Sequence, residues 1–278
     1  MKFKAVLFSF SVLLSSLAFS QTYNYEDEDT TKTKFFIGVN LGGHFVNNKT
    51  AVFYSGSPSI TQFGVESFLF SNQPQVRQVF IDYFGTTEYN IEEYPFEPRY
   101  QSAFELGLNL GFQITDGIAF FLDLNSISLR YEQFLTLGID VPQNQNSLEP
   151  VRFEKLPLFG RESRFNLNLG TQLSYYNENG TNAYLSLFGN LNGVQLEENY
   201  FEVNSQRYNI LHPVDGNFNQ KPSGLGYGGG AGLGLKFEVT EDILADIYYN
   251  LYYNQINLAE NLKPYGFHNS VGIRVLWH

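Results

Sequence analysis

Over residues 103–114 the chain puts Phe104, Leu106, Leu108, Leu110, Phe112 and Ile114 at every second position, with Ala103, Glu105, Gly107, Asn109, Gly111 and Gln113 between them. A repeat of two cannot come from a helix, whose faces recur every 3.6 residues; it requires an extended strand whose two faces meet different surroundings. One face here is wholly apolar, and the other is small or polar and carries a carboxylate. A soluble sandwich would bury the apolar face as its core. A membrane barrel turns that face to lipid and lines its interior with the small polar one.

The pattern recurs along the chain, which favours the barrel. Phe35, Ile37, Val39, Leu41 and Phe45 alternate with Gly38, Asn40, Gly42 and His44 in a first strand. Ile118, Phe120, Leu122 and Leu124 open a third, which continues as Ile127, Leu129 and Tyr131 on the opposite phase. Such a phase change predicts a β-bulge near Asn125 and Ser126. A fourth strand shows Phe165, Leu167, Leu169, Leu173 and Tyr175. A fifth shows Leu185, Leu187 and Leu191, then Val194 and Leu196 on the other phase, predicting a second bulge near Gly193. The sixth turns Leu225, Tyr227, Ala231, Leu233, Leu235 and Phe237 outward against five inward glycines, which leave room for large residues such as Phe188 and Tyr248 or for a small cavity. The seventh carries Ile243, Ala245, Ile247, Tyr249, Leu251 and Tyr253, and the last Phe267, Val271, Ile273, Val275 and Trp277.

These strands predict an all-β fold, a transmembrane antiparallel up-and-down barrel of eight strands spanning residues 34–278. Short turns lie at one end and long external loops at the other, over residues 47–100, 136–160, 199–224 and 259–265. The loop 47–100 contains Val76, Val79, Phe80, Tyr83 and Phe84 at helical spacing between Pro74 and Gly85, predicting a short amphipathic helix. The rival reading pairs residues 60–70 with 76–84 as an extra hairpin, giving ten strands. Outward aromatics form two girdles: Phe35, Phe112, Phe120, Tyr175, Phe237 and Trp277 at one rim, and Phe45, Phe104, Tyr131, Phe165, Tyr227, Tyr253 and Phe267 at the other.

Residues 1–20 read as a secretory signal peptide: Lys2 and Lys4, an apolar stretch, then Ala18, Phe19 and Ser20. Residues 21–33 are polar and acidic, a periplasmic lead-in. Lys2 and Lys4 account for two of the 17 basic residues, leaving 15 against 28 acidic ones, a balance of −13 that makes nucleic acid a poor partner. No later segment approaches the ~20 consecutive apolar residues of a membrane helix, so strands must make any crossing. Without cysteine, pairing and packing alone hold the fold.

With its signal peptide, eight alternating strands, turn and loop asymmetry, and a last strand ending Val275, Leu276, Trp277, His278, the chain resembles the small outer-membrane barrels of the OmpA and OmpX type. That resemblance implies residence in the outer membrane of a Gram-negative bacterium, contact with its lipid and lipopolysaccharide, and insertion by the outer-membrane assembly machinery. It transfers no functional residue.

An eight-stranded barrel is just wide enough for side chains to fill. Glu105, Asp123, Arg130, Glu132, Arg164, Lys236, Asp246 and Arg274 are expected to face inward as a paired polar network, since buried charges need compensation. The alternative is a narrow gated channel or small-ligand carrier. His44 and His268 face inward on the strands that close the barrel; ordinary hydrogen-bonded histidines are expected there, with no metal and no cofactor. His212, Asp215 and Ser205 form the only cluster suggestive of an enzyme, and no nucleophile motif accompanies them. Tyr54, Tyr83, Tyr89, Tyr94, Tyr200 and Tyr208 are candidate contact residues for a protein partner at the external loops. The expected role is structural, adhesive or machinery-accessory, with the channel second and an enzyme third.

Overall fold

The computed structural model describes residues 34–71, 73–115, 117–140, 151–178 and 180–277. The predicted signal peptide and lead-in, residues 1–33, lie outside them. Among the described residues ten strands are present: β1 (Lys34–Phe45), β2 (Tyr89–Glu93), β3 (Ala103–Thr115), β4 (Ile118–Asp140), β5 (Val151–Glu178), β6 (Thr181–Val203), β7 (Gln206–Asn209), β8 (Ser223–Thr240), β9 (Ile243–Gln255) and β10 (Tyr265–Trp277). Eight of them close a ring of antiparallel pairs in the order β1, β3, β4, β5, β6, β8, β9, β10 and back to β1. Closure leaves the ring without a free edge, as a strand structure in lipid requires. Within the ring each strand pairs on both sides while its side chains alternate between lumen and exterior.

The other two strands lie beyond the ring. β2 pairs with residues 136–139 of β4, and β7 with residues 200–203 of β6. Together with the long upper parts of β4, β5 and β6 they form a wall that rises above one end of the barrel. The ten-stranded alternative does not stand, because residues 65–69 and 74–84 are helices. The helix Pro74–Phe84 starts with proline at its first turn, where a missing N–H costs nothing, and stops at Gly85, whose φ of 75° closes a left-handed cap with its N–H on the Ile81 carbonyl.

Much of the segment expected to be the external loop 136–160 is strand, since β4 and β5 stay paired up to Asp140 and Val151. Neither predicted bulge exists where the sequence placed it. The β3–β4 and β4–β5 ladders run unbroken through Asn125 and Ser126, and the β5–β6 ladder runs unbroken through Gly193. A register shift does occur on β6, at Glu197, between the pairs Arg161–Glu198 and Glu162–Leu196.

What reverses at residues 125–127 is the environment. Below that level the exterior of β4 carries Phe120, Leu122 and Leu124 and its interior Asp123 and Asn125. Above it the exterior carries Ser126, Ser128, Arg130 and Glu132, while Ile127, Leu129 and Tyr131 are buried inside. The strand keeps its phase and leaves the membrane. Tyr131 is therefore a core residue and not part of the outer girdle, and Arg130 and Glu132 point away from the lumen.

Inside the wall, residues 48–71 and 73–84 fold into a head with its own core. A 3₁₀ helix (Asn48–Tyr54), the helix Val65–Leu69 and the helix Pro74–Phe84 bring Phe53, Tyr54, Val65, Leu69, Phe80 and Phe84 against Leu135, Leu137, Leu156, Leu158, Phe201 and Val203. Gly160 makes the seat for Tyr54: a Cβ there would lie 2.2 Å from the phenol ring.

Candidate functional site: the lumen and the head above it

Along β4 the lumen reads as a sequence of layers. Ala119 and Phe121 come first, then Asp123 and Asn125, then Ile127, Leu129 and Tyr131. The first layer belongs to an apolar plug of Phe36, Ala119, Phe121, Phe188, Tyr252 and Leu276. Phe188 fits because its facing residue is Gly230, where a Cβ would lie 2.6 Å from the ring. The expected room beside the glycines of β8 is thus filled by Phe188 and Tyr184, while Tyr248 fills a gap left by Gly42 and Gly272.

The polar layer is an ionic network. Arg274 donates from Nη2 to Asp123 Oδ2 at 2.9 Å and from Nη1 to Asp246 Oδ2 at 3.2 Å, and its guanidinium lies 4.1 Å from the Tyr248 ring. Tyr184 Oη donates to the Asp246 carboxylate at 2.8 Å, and Asn40 and Asn109 donate to Asp123. All three charges are buried, so each is stable only because the others are present. Glu105 accepts from His44 Nδ1 at 2.7 Å and from Tyr248 Oη at 3.4 Å.

His44 and His268 do approach, with ring centroids 6.2 Å apart. His44 is bound to Glu105, and His268 Nδ1 accepts the Asn47 N–H at 3.3 Å. Among the described residues no group of three His, Cys, Asp or Glu side chains could hold a metal ion. Lys236 faces the turn end of the lumen, where its Nζ donates to Gln172 Oε1 at 2.6 Å and lies 5.0 Å from the rings of Phe36 and Tyr184. The opening there is lined by Lys34, Gln113, Asn182, Lys236 and Glu238 and ends on Phe36 and Ala119 of the plug.

A second buried cluster latches the head to the barrel. Glu162 accepts from Tyr54 Oη at 2.9 Å, Tyr100 Oη at 2.7 Å and Arg164 Nε at 2.5 Å, and Arg164 Nη2 donates to Thr50 Oγ1 at 3.0 Å. Burial first, and then the Glu162 carboxylate, hold both phenols above their ordinary range, so they stay neutral donors. Sequence reasoning missed Glu162 and Thr50. The one available signal was Glu162 standing two residues from Arg164 on one face of a strand.

The candidate tyrosines divide. Tyr54 is a fully buried core residue and not a contact residue. Tyr89 donates to the Leu69 carbonyl at 2.8 Å and Tyr94 to Glu66 at 3.1 Å. Tyr208 stacks on Phe201 at 5.2 Å, and Tyr200 lies between Phe159 at 5.0 Å and the Arg207 guanidinium at 4.6 Å. Only Tyr83 presents a large free surface among these six. His212 is not joined to Asp215 or Ser205: its ring stacks 3.9 Å from Phe53, and its Nε2 meets the Asn199 amide nitrogen at 2.6 Å.

The exterior settles the setting. Leu106, Leu108, Leu169, Leu187, Leu191, Leu233, Ile247, Val271 and Ile273 are all exposed around the ring, an apolar belt that no water-soluble barrel could carry. Phe35, Phe112 and Phe120 border it at the turn end in successive ring contacts of 5.9 and 5.5 Å; Tyr253 and Phe267 meet at 4.9 Å at the other end. The chain is a transmembrane β-barrel. Short turns mark one end of it, and the head stands at the other.

No protein-family model matches the sequence, and no curated protein is similar to it. Among solved structures, the barrel is similar to Neisserial surface protein A (NspA), at 10% identity over 88% of this chain and 98% of that one, with a TM-score of 0.38. Ail, the attachment invasion locus protein of Yersinia pestis, shows 9% identity over 88% and 95% of the two chains, with a TM-score of 0.32. OprG of Pseudomonas aeruginosa shows 10% over 88% and 95%, also with a TM-score of 0.32.

Proposed function

We propose that this outer-membrane barrel is a structural, adhesive or machinery-accessory protein that works through its extracellular head, by docking a protein partner on the outward face of the wall. The supporting observation is an aromatic surface held in water above the lipid belt. Phe96, Phe134 and Phe153 are 87%, 51% and 66% exposed. Phe134 and Phe96 border a groove shared with Tyr94, Pro95, Thr136 and Lys155, and Phe153 lies on the same face, opposite Gly138. Phe134 and Phe153 stand on the sheet and Phe96 in the segment just after β2; large exposed aromatics are poor solvent contacts and good interface anchors. The lumen supports this reading over a channel, because plug, ionic layer and head core lie across it in series.

Co-purification from native outer membrane in mild detergent tests the proposal, comparing the intact protein with a Phe96→Ser, Phe134→Ser, Phe153→Ser variant. Removing residues 47–97 instead would strip the core from the barrel mouth and confuse docking with misfolding. A stoichiometric protein retained by the first form and lost from the second is expected. Two forms that purify alone as folded, heat-modifiable barrels would overturn it.

A further inference from the structure

At the turn end of the lumen, beneath the plug, lies a space of about 240 Å³. Phe36 and Ala119 of the plug form its floor, with Leu244 packed beside them, so it is a pouch with one mouth. Pockets for larger ligands begin at ~300 Å³, and this volume suits a molecule of a few carbons.

Lys236 sets the chemistry of the pouch. An ammonium carries three N–H donors, and Lys236 spends one of them, on Gln172 Oε1 at 2.6 Å. The ring faces of Phe36 and Tyr184, each 5.0 Å away, attract the charge but take up no N–H. Asp246 stands opposite Lys236 in the β8–β9 ladder and offsets its charge at a distance, yet its oxygens are engaged elsewhere. Arg274 Nη1 meets Oδ2 at 3.2 Å, and Tyr184 Oη reaches the two oxygens at 2.9 and 2.8 Å. Among the described residues no carboxylate forms an ion pair with Lys236. Two donors of a shielded ammonium are thus unspent at the edge of the pouch.

The rest of the lining favours the same kind of guest. Lys34 adds a second cation at the mouth, and it too makes no ion pair among the described residues. Glu238 is the one carboxylate among the described lining residues. It leans on the β5–β6 turn, its Oε2 3.3 Å from where a Cβ on Gly180 would stand. Two carboxylate oxygens match two spare ammonium donors, and a short hydrocarbon body matches the apolar floor. A phosphate group carries three strong acceptor oxygens, more than one ammonium with two spare donors can satisfy.

We propose that the turn-end pouch binds a small carboxylate, whose oxygens take the unspent N–H groups of Lys236 while its hydrocarbon body lies against Phe36, Ala119 and Leu244. Lys34 draws the anion to the mouth by longer-range attraction. The plug closes the inner end, so the guest enters and leaves by the same opening. The site is independent of the docking face around Phe134.

The test is an amide NMR titration of the full barrel in detergent micelles, with propionate, propionamide and inorganic phosphate as probes at constant ionic strength. Wild type is compared with Lys236→Met, Lys236→Arg and Lys34→Gln. Propionate should give saturable shifts at Phe36, Ala119 and Gln172, with affinity falling about tenfold in Lys236→Met, the loss of a charged hydrogen-bond donor. Lys236→Arg should lie between these two, and Lys34→Gln should weaken binding about twofold, as loss of a screened charge does. Propionamide has the same shape without the charge and should leave these amides unmoved. Shifts that do not saturate, undiminished affinity in Lys236→Met, or propionamide binding as well as propionate would overturn the site. Phosphate binding as tightly as propionate would overturn the carboxylate assignment in favour of an unselective anion site. Methionine keeps the apolar stem of Lys236, so the variant should remain heat-modifiable. If it does not fold, Lys236→Arg and Lys34→Gln carry the test, and propionate affinity unchanged in both would overturn the site.

Discussion

Replacing Arg274 by methionine would remove the cation shared by two buried carboxylates. In the wild type the guanidinium meets Asp123 at 2.9 Å and Asp246 at 3.2 Å, with arginine and both aspartates 3% exposed or less. Methionine fills much of the same volume, so the loss is chiefly electrostatic. Breaking a buried pair by deleting one partner costs about 3–5 kcal/mol, because the remaining charge is left in low dielectric without compensation. Tyr184, Asn40 and Asn109 continue to donate to the two carboxylates, which keeps the expected loss inside that range and below the sum of two independent pairs. The expected change in unfolding free energy, measured by denaturant titration of the barrel folded in lipid vesicles, is about 4 kcal/mol. The variant Arg274→Met with Asp123→Asn and Asp246→Asn should recover most of it, since no uncompensated charge remains. A loss below about 1 kcal/mol for Arg274→Met, or no recovery in the triple variant, would refute the network as the element that makes the polar layer stable.

Gly160→Val should evict Tyr54 from its seat and with it the head, raising protease cleavage within residues 48–84 while the barrel stays heat-modifiable; an unchanged digestion pattern would contradict the packing described for Tyr54. Burial lowers His212 from 6.5 to about 4, so its neutral form favours the docked head fully above pH 6.5, and that contribution is lost as pH falls towards 4. Protection factors of residues 48–54, which include the Phe53 stacked on His212, taken as intrinsic over observed exchange rate at each pH, should therefore fall between pH 7 and 4.5 in the wild type and change less in His212→Gln. In planar bilayers the wild-type barrel should be electrically silent, and Phe121→Ala with Phe188→Ala should open the plug to a small conductance; a wild type that conducts steadily would show that the plug is not closed.

The ring of eight strands was legible because lipid and lumen impose opposite chemistries on alternate residues, and residues 103–114 carry that demand in almost pure form. The same logic failed where the outer environment changes along a single strand. At Leu124 and Ile127 on β4, and at Leu191 and Val194 on β6, the apolar phase switches. A bulge and an exit from the membrane into a head with its own core give the same one-dimensional signal. The switch put Arg130 and Glu132 on the wrong side of the wall and Tyr131 in the wrong layer.

In the candidate site, Asp123, Asp246, Arg274, Glu105 and Arg164 were recognisable as inward charges, because a strand's phase fixes where a side chain points. Which of them meet depends on pairing across the lumen. Asp123 and Arg274 are 151 residues apart and lie on strands that are not neighbours, so no local pattern records their contact. The loop tyrosines were misjudged for a related reason: an aromatic in an irregular segment reads the same whether it covers a core, as Tyr54 does, or faces water.

The most direct measurement of the account is cysteine labelling in intact cells, made clean by the absence of any native cysteine. Single replacements at Phe134 on the outward face of the wall, Leu233 in the lipid belt and Asp242 in the β8–β9 turn would be exposed to a membrane-impermeant maleimide before and after lysis. The account predicts rapid labelling at 134 in intact cells, none at 242 until the membrane is broken, and little at 233 in either state while the barrel remains in lipid. Labelling at 242 with protection at 134 in intact cells would invert the barrel, and rapid labelling at 233 would remove it from the membrane.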